Sequence, residues 1–81
     1  MNFGQALEAL KQGKRVARRG WNGKGIYIEL QRPDANSKMT QPYIYIVTTG
    51  LVTDNKDAPK GIVPWLASQT DMLADDWNIV E

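Results

Sequence analysis

The chain has 81 residues, a formal net charge of +1, no cysteine and no histidine. That excludes a disulfide framework, a cysteine-based zinc site and the commonest general base near neutral pH, and the weak net charge argues against a duplex nucleic-acid binder. One domain over residues 1–81 buries only about 60–65% of its unfolded surface, so self-association is the expected support for so small a core.

In chain order, Asn2 with Gln5 three residues later reads as a capping box. Phe3, Ala6, Leu7 and Leu10 then share one helical face, and Gly13 supplies the left-handed residue that ends a helix. A helix over Phe3 to Gln12 follows. The opening is amphipathic rather than signal-like, and no apolar run is long enough to span a bilayer; with no cysteine, a reducing cytoplasm is expected.

Lys14 to Arg19 suits a short strand with Val16 inward. Gly20 to Gly25 is a turn that leaves Trp21 exposed. Ile26, Ile28 and Leu30 alternate with Tyr27, Glu29 and Gln31, the period of a half-buried strand, and Arg32 to Pro42 is a loop. Tyr43 to Thr49 is β-branched and aromatic on both faces, so it needs cover on both. One helix covers one face, and a second subunit is expected on the other.

Gly50 to Lys60 is a polar connection leading to Gly61–Leu66, which Pro64 restricts to a sheet edge. Ser68 and Asp71 form an N-cap with an acid in the first turn. A short helix over Gln69 to Ala74 and a closing strand over Trp77 to Val80 complete an α+β fold, in which the N-terminal helix packs on a mainly antiparallel sheet.

Charge is unevenly placed. Lys11, Lys14, Arg15, Arg18, Arg19 and Lys24 form one stretch without an acid, while Asp71, Asp75, Asp76 and Glu81 close the chain without a base. Such an asymmetry serves anion capture, or draws the two ends of the chain together. Trp21 beside Arg18, Arg19 and Asn22 offers a purine nucleotide a stacking surface, guanidinium groups and backbone amides; alternatively its ring folds back over the core.

Trp65 reads either as core or as the wall of a small-molecule site, and Trp77 as core. Asp71 fits a cap or a ribose contact better than catalysis or magnesium binding, because no nucleophile-and-base pair is present. Gly20-Trp21-Asn22-Gly23-Lys24-Gly25 is neither a Walker A loop nor a dinucleotide fingerprint.

Phe3, Ala6-Leu7, Lys11, Gly13, Arg18 and Trp21-Asn22, followed by Pro64-Trp65, Ser68, Asp71-Met72-Leu73-Ala74 and Asp76-Trp77, resemble the phage anti-Thoeris anti-defence sponge family along the whole chain. The resemblance implies a homotetramer that holds glycocyclic ADP-ribose messengers, made by bacterial TIR-domain enzymes, without cleaving them. It implies no catalytic residue, no cofactor and no metal. Some relatives also hold cyclic oligonucleotides at a separate site, which no residue here identifies.

On that resemblance Trp21 is expected to stack on a base and Arg18 or Arg19 to meet the pyrophosphate. Asn22 and Asp71 take polar contacts, with Ser68 beside them, and Trp65 forms a wall near a subunit boundary. The strand Tyr43 to Val47 is expected to make subunit contacts. The competing readings are a protein-interaction module using its aromatic sheet, a nucleotide-processing enzyme, and a single-stranded nucleic-acid binder.

Overall fold

In the computed structural model, which describes residues 1–81, the first helix starts where side-chain chemistry directs it. The Asn2 carboxamide accepts the Gln5 N–H at 2.8 Å, and the Gln5 side chain accepts the Asn2 N–H at 2.9 Å. Two otherwise orphaned donors are thereby satisfied, and α1 runs over Phe3–Lys11. Its end comes one residue earlier than expected, with Gln12 as the cap and Gly13 at φ 85° turning the chain.

Five antiparallel strands follow: β1 (Arg15–Arg18), β2 (Tyr27–Gln31), β3 (Tyr43–Val47), β4 (Ile62–Pro64) and β5 (Trp77–Val80), in the spatial order β4-β3-β2-β1-β5. The elements fall where the sequence pattern puts them, with trimmed ends. Ile26 lies before β2, Thr48 and Thr49 lie beyond β3, and the Gly61–Leu66 segment contributes only three residues, at the edge that Pro64 permits. The short α2 (Gln69–Leu73) sits between β4 and β5.

The register decides which side chains share a face. Val16 pairs with Ile28 and Ile79, Ile28 with Ile46, and Leu30 with Ile44. Ile79 is exposed on the edge strand β5, and the rest of that row packs beneath α1, where Ala6, Ala9 and Leu10 meet Val16, Ile28 and Trp77 in one cluster. Val16 and Ile28 are fully buried, and Trp77 is the largest side chain in the core. Trp77 also ties β5 to the start of α1, since its N–H donates to the Met1 carbonyl at 3.1 Å.

The opposite face of the sheet carries Arg15, Tyr27, Glu29, Tyr43, Tyr45, Val47, Ile62 and Pro64, and no element of the chain crosses it. Only nine of the 81 residues are buried, so the single chain has the small core that its length implies. On the open face Arg15 pairs with Glu29 at 3.0 Å and lies 4.8 Å over the Tyr27 ring. The Tyr45 hydroxyl donates to Glu29, and partial burial together with that carboxylate pushes the phenol up to about 12. No helix is long and apolar enough to cross a membrane.

Candidate functional site

Most residues singled out in the sequence converge where β1 ends. The register sets Arg18 opposite Trp77, on the side covered by the helices. Its Nη1 donates to Asp71 Oδ1 at 2.8 Å and its Nε to Asp76 Oδ1 at 2.9 Å. The uneven charge of the sequence is therefore used within the chain: a base from the early cluster is held by two acids from the late one. The bonds to Asp76 and Asp71 push the guanidinium above its ordinary value, and Arg18 in turn holds the Asp76 carboxyl below its own.

Asp71 is the one buried charged residue, and its acceptors are all used. Oδ1 takes Arg18 and the Trp21 indole N–H at 3.2 Å. Oδ2 takes the Ser68 backbone N–H at 3.0 Å and the Ser68 hydroxyl at 2.8 Å. Its main-chain carbonyl accepts the Trp77 indole N–H at 3.0 Å. Burial alone would raise the Asp71 carboxyl, but the donors from Arg18, Ser68 and Trp21 outweigh it and hold the group at about 2.

Ser68 closes the same unit by accepting the Asp71 N–H, a reciprocal cap at the start of α2. Gly20 lets the turn approach. Its N–H donates to Asp76 Oδ2 at 2.7 Å, and a Cβ there would stand 2.7 Å from that oxygen, displacing the carboxylate that holds Arg18.

The tryptophans pack beside this unit. Trp21 and Trp65 meet Trp77 edge-on, with centroids 5.4 and 6.0 Å away and interplanar angles of 79° and 85°, the arrangement aromatic quadrupoles favour. Phe3 joins them at 5.5 Å from Trp77. The expectation that Trp21 is exposed is corrected: it is half-buried and packed against the core. The physical reason is the turn, in which the Trp21 N–H donates back to the Arg18 carbonyl, while Asp71 supplies an acceptor for the indole.

Arg18, Trp21, Trp65, Ser68 and Asp71 are thus brought together, whereas Arg19 and Asn22 are exposed on the turn. Arg19 forms no ion pair, and Lys24 reaches back to the carbonyls of Arg19 and Trp21. A hollow of about 370 Å³ lies here, lined by Arg15, Arg18, Arg19, Lys24 and the glycines 23 and 25, with Glu81 also on its wall.

A larger cleft, about 500 Å³, opens on the far side of Trp65. Leu7 and Leu10 of α1 form one wall, Leu30 and Ile44 of the sheet another, and Trp65 its end. The remaining lining residues, Lys11, Arg32, Pro42 and Tyr43, are all exposed and form the mouth. Arg32 Nη2 donates to the Lys11 carbonyl at 2.7 Å, satisfying the end of α1 and bringing the two cations to one rim. No three of the carboxylates are grouped so as to hold a metal ion.

Comparison with known proteins decides the family. The profile of the Thoeris anti-defense 2-like domain matches residues 1–80. The chain is also 44% identical to Thoeris anti-defense 2 of Bacillus phage SP01 over 84 residues, covering 99% of this chain and 94% of that protein. The chain belongs to this family.

In this Thoeris anti-defense 2-like domain, the residues that carried the resemblance form mainly the Arg18–Asp71–Asp76 corner and the tryptophan cluster beside it. The cleft was not read from the sequence. Lys11 stood in the signature without a role, and Arg32 stood only as the first residue of a loop. The signal available was their position: Lys11 ends the apolar stripe of α1, and Arg32 ends the alternating strand whose inward residues line the same space.

Proposed function

We propose that this chain blocks Thoeris defence by sequestering a glycocyclic ADP-ribose messenger and leaving its bonds intact. The observation that carries the reading is the likeness to a Thoeris anti-defense 2 protein along nearly the full length of both chains. The chemistry of the chain supports it. There is no cysteine or histidine, and the one buried carboxylate is ionised and committed to four donors, so it suits fixing a fold better than moving a proton. What the chain does offer an anionic nucleotide is concave surface with arginine, lysine and indole on its walls.

The working form in this reading is a homotetramer in the host cytoplasm. Tyr43 and Ile62 are exposed on the sheet face that no element of the chain crosses, and Leu66, just before α2, and Leu73, its last residue, are 91% and 80% exposed. Further copies would bury this apolar surface. Light scattering on the purified protein should give four chains; a monomer would shift the balance to a module that binds another protein through this face.

The reaction mixture of a TIR-domain enzyme provides the functional test. After incubation the protein should deplete the messenger from solution, and heat should release it with unchanged mass. A shorter product would indicate a hydrolase, and an undepleted solution would remove the reading.

A further inference from the structure

The turn between β1 and β2 carries a dipeptide with chemistry of its own. Of the five asparagines in the chain, Asn22 alone is followed by glycine. Three of the others have their carboxamides engaged: Asn2 caps α1, Asn55 Oδ1 accepts the Asp57 N–H at 3.0 Å, and Asn78 Nδ2 donates to the Ile79 carbonyl. After Asn36, the next main-chain nitrogen is tied up, since the Ser37 N–H donates to the Asp34 carbonyl at 3.1 Å. Asn22 differs on both counts. It is exposed, its carboxamide has no partner in the chain, and the Gly23 N–H has none either.

We infer that Asn22–Gly23 is a self-modification site, at which Asn22 converts to isoaspartate and aspartate without an enzyme. The Gly23 nitrogen, having given its proton to solvent base, attacks Asn22 Cγ. As that bond forms, the bond from Cγ to the side-chain nitrogen breaks, ammonia leaves, and a succinimide ring joins the two residues. One water then opens the ring. Attack at Cγ leaves aspartate; attack at the main-chain carbonyl carbon leaves isoaspartate, in which the main chain runs through Cβ and Cγ.

The setting favours each step. Glycine has no Cβ to hinder its nitrogen and bends readily into the ring. Negative charge sits on the attacking nitrogen and then on the Cγ oxygen, and nearby cations stabilise both. Arg19 is exposed and forms no ion pair, and Lys24 Nζ stands over the same turn, 3.0 and 3.3 Å from the Arg19 and Trp21 carbonyls. Glu81 is the one acid on the wall of the adjoining hollow.

The product undoes that setting. Its carboxylate cancels the formal net charge of +1. The isoaspartyl form also lengthens the main chain of a turn pinned on both sides, by the Trp21 N–H on the Arg18 carbonyl and the Val52 N–H on the Lys24 carbonyl. The basic turn therefore loses charge and fit with age. No ligand takes part, so the reaction is independent of messenger capture.

Ageing the purified protein in mildly alkaline buffer, with a fresh sample digested in parallel, tests the site. Trypsin releases Gly20–Lys24 as one peptide. Mass spectrometry should show its amide replaced by an acid in two isomeric forms, while peptides bearing the other four asparagines stay unchanged. Gly23→Ala should slow the conversion by about tenfold, about 1.4 kcal/mol in barrier. A Cβ at Gly23 would meet Leu51 Cδ1 at 2.8 Å, so thermal melts check that variant, and Asn22→Gln, whose ring closes more slowly, serves if it fails to fold. Intact Asn22 after ageing, or equal conversion at Asn36, overturns the site. The isoaspartyl fraction should melt below fresh protein; equal melting overturns the effect on the turn.

Discussion

The layer beneath α1 has two ends, and they use similar residues to opposite effect. At one end Arg18 and Trp21 are held by partners from the same chain: Asp71, Asp76 and the edge of Trp77. At the other, Arg32 and Trp65 flank open space. Trp65 belongs to both ends, since one side packs on Trp77 and the other closes the cleft. Residue type alone therefore does not mark a binding surface; what matters is whether the fold has already supplied the partner.

The contrast is broken most severely by Trp77→Ala. Removing the largest buried side chain should cost about 3–5 kcal/mol, enough to unfold much of a chain with so small a core. Urea denaturation with far-ultraviolet circular dichroism reads this directly. Next comes the pair Arg18→Met and Arg32→Met. Taking the guanidinium from Arg18 leaves buried Asp71 without its charged partner and should cost about 2–4 kcal/mol, whereas the exposed Arg32 should cost at most about 1 kcal/mol. Equal losses in the two variants would erase the distinction between the ends.

A smaller effect follows from pH. Asp71 titrates at about 2 in the folded chain, against about 4 for an ordinary carboxyl in the unfolded one. Its contribution is therefore complete above about pH 4 and lost as pH falls toward about 2, with Asp76, also lowered, acting in the same direction. Melting temperature should fall across this window, and the fall should be shallower in Asp71→Asn. A curve that is flat from pH 5 to 2 in the wild-type protein would contradict the ionised corner.

Much of the fold was legible because its signals are local. The Asn2–Gln5 and Ser68–Asp71 caps are four-residue patterns, Gly13 needs only its own backbone freedom, and the alternation in Ile28–Leu30 and Ile44–Ile46 has period two. Pro64 announced an edge strand by lacking a donor. The site was less legible because its decisive contacts are distant. Asp71 reaches Trp21 across 50 positions and Asp76 reaches Arg18 across 58, and nothing near Trp21 reveals that an acceptor is waiting for its indole. The contact of Arg32 with the end of α1 is hidden for the same reason, since Lys11 lies 21 residues earlier.

The most direct test follows the three indole N–H signals by nitrogen-resolved magnetic resonance while glycocyclic ADP-ribose is added. Indole resonances should move with saturation as the messenger is captured. No response at any of the three would contradict the account.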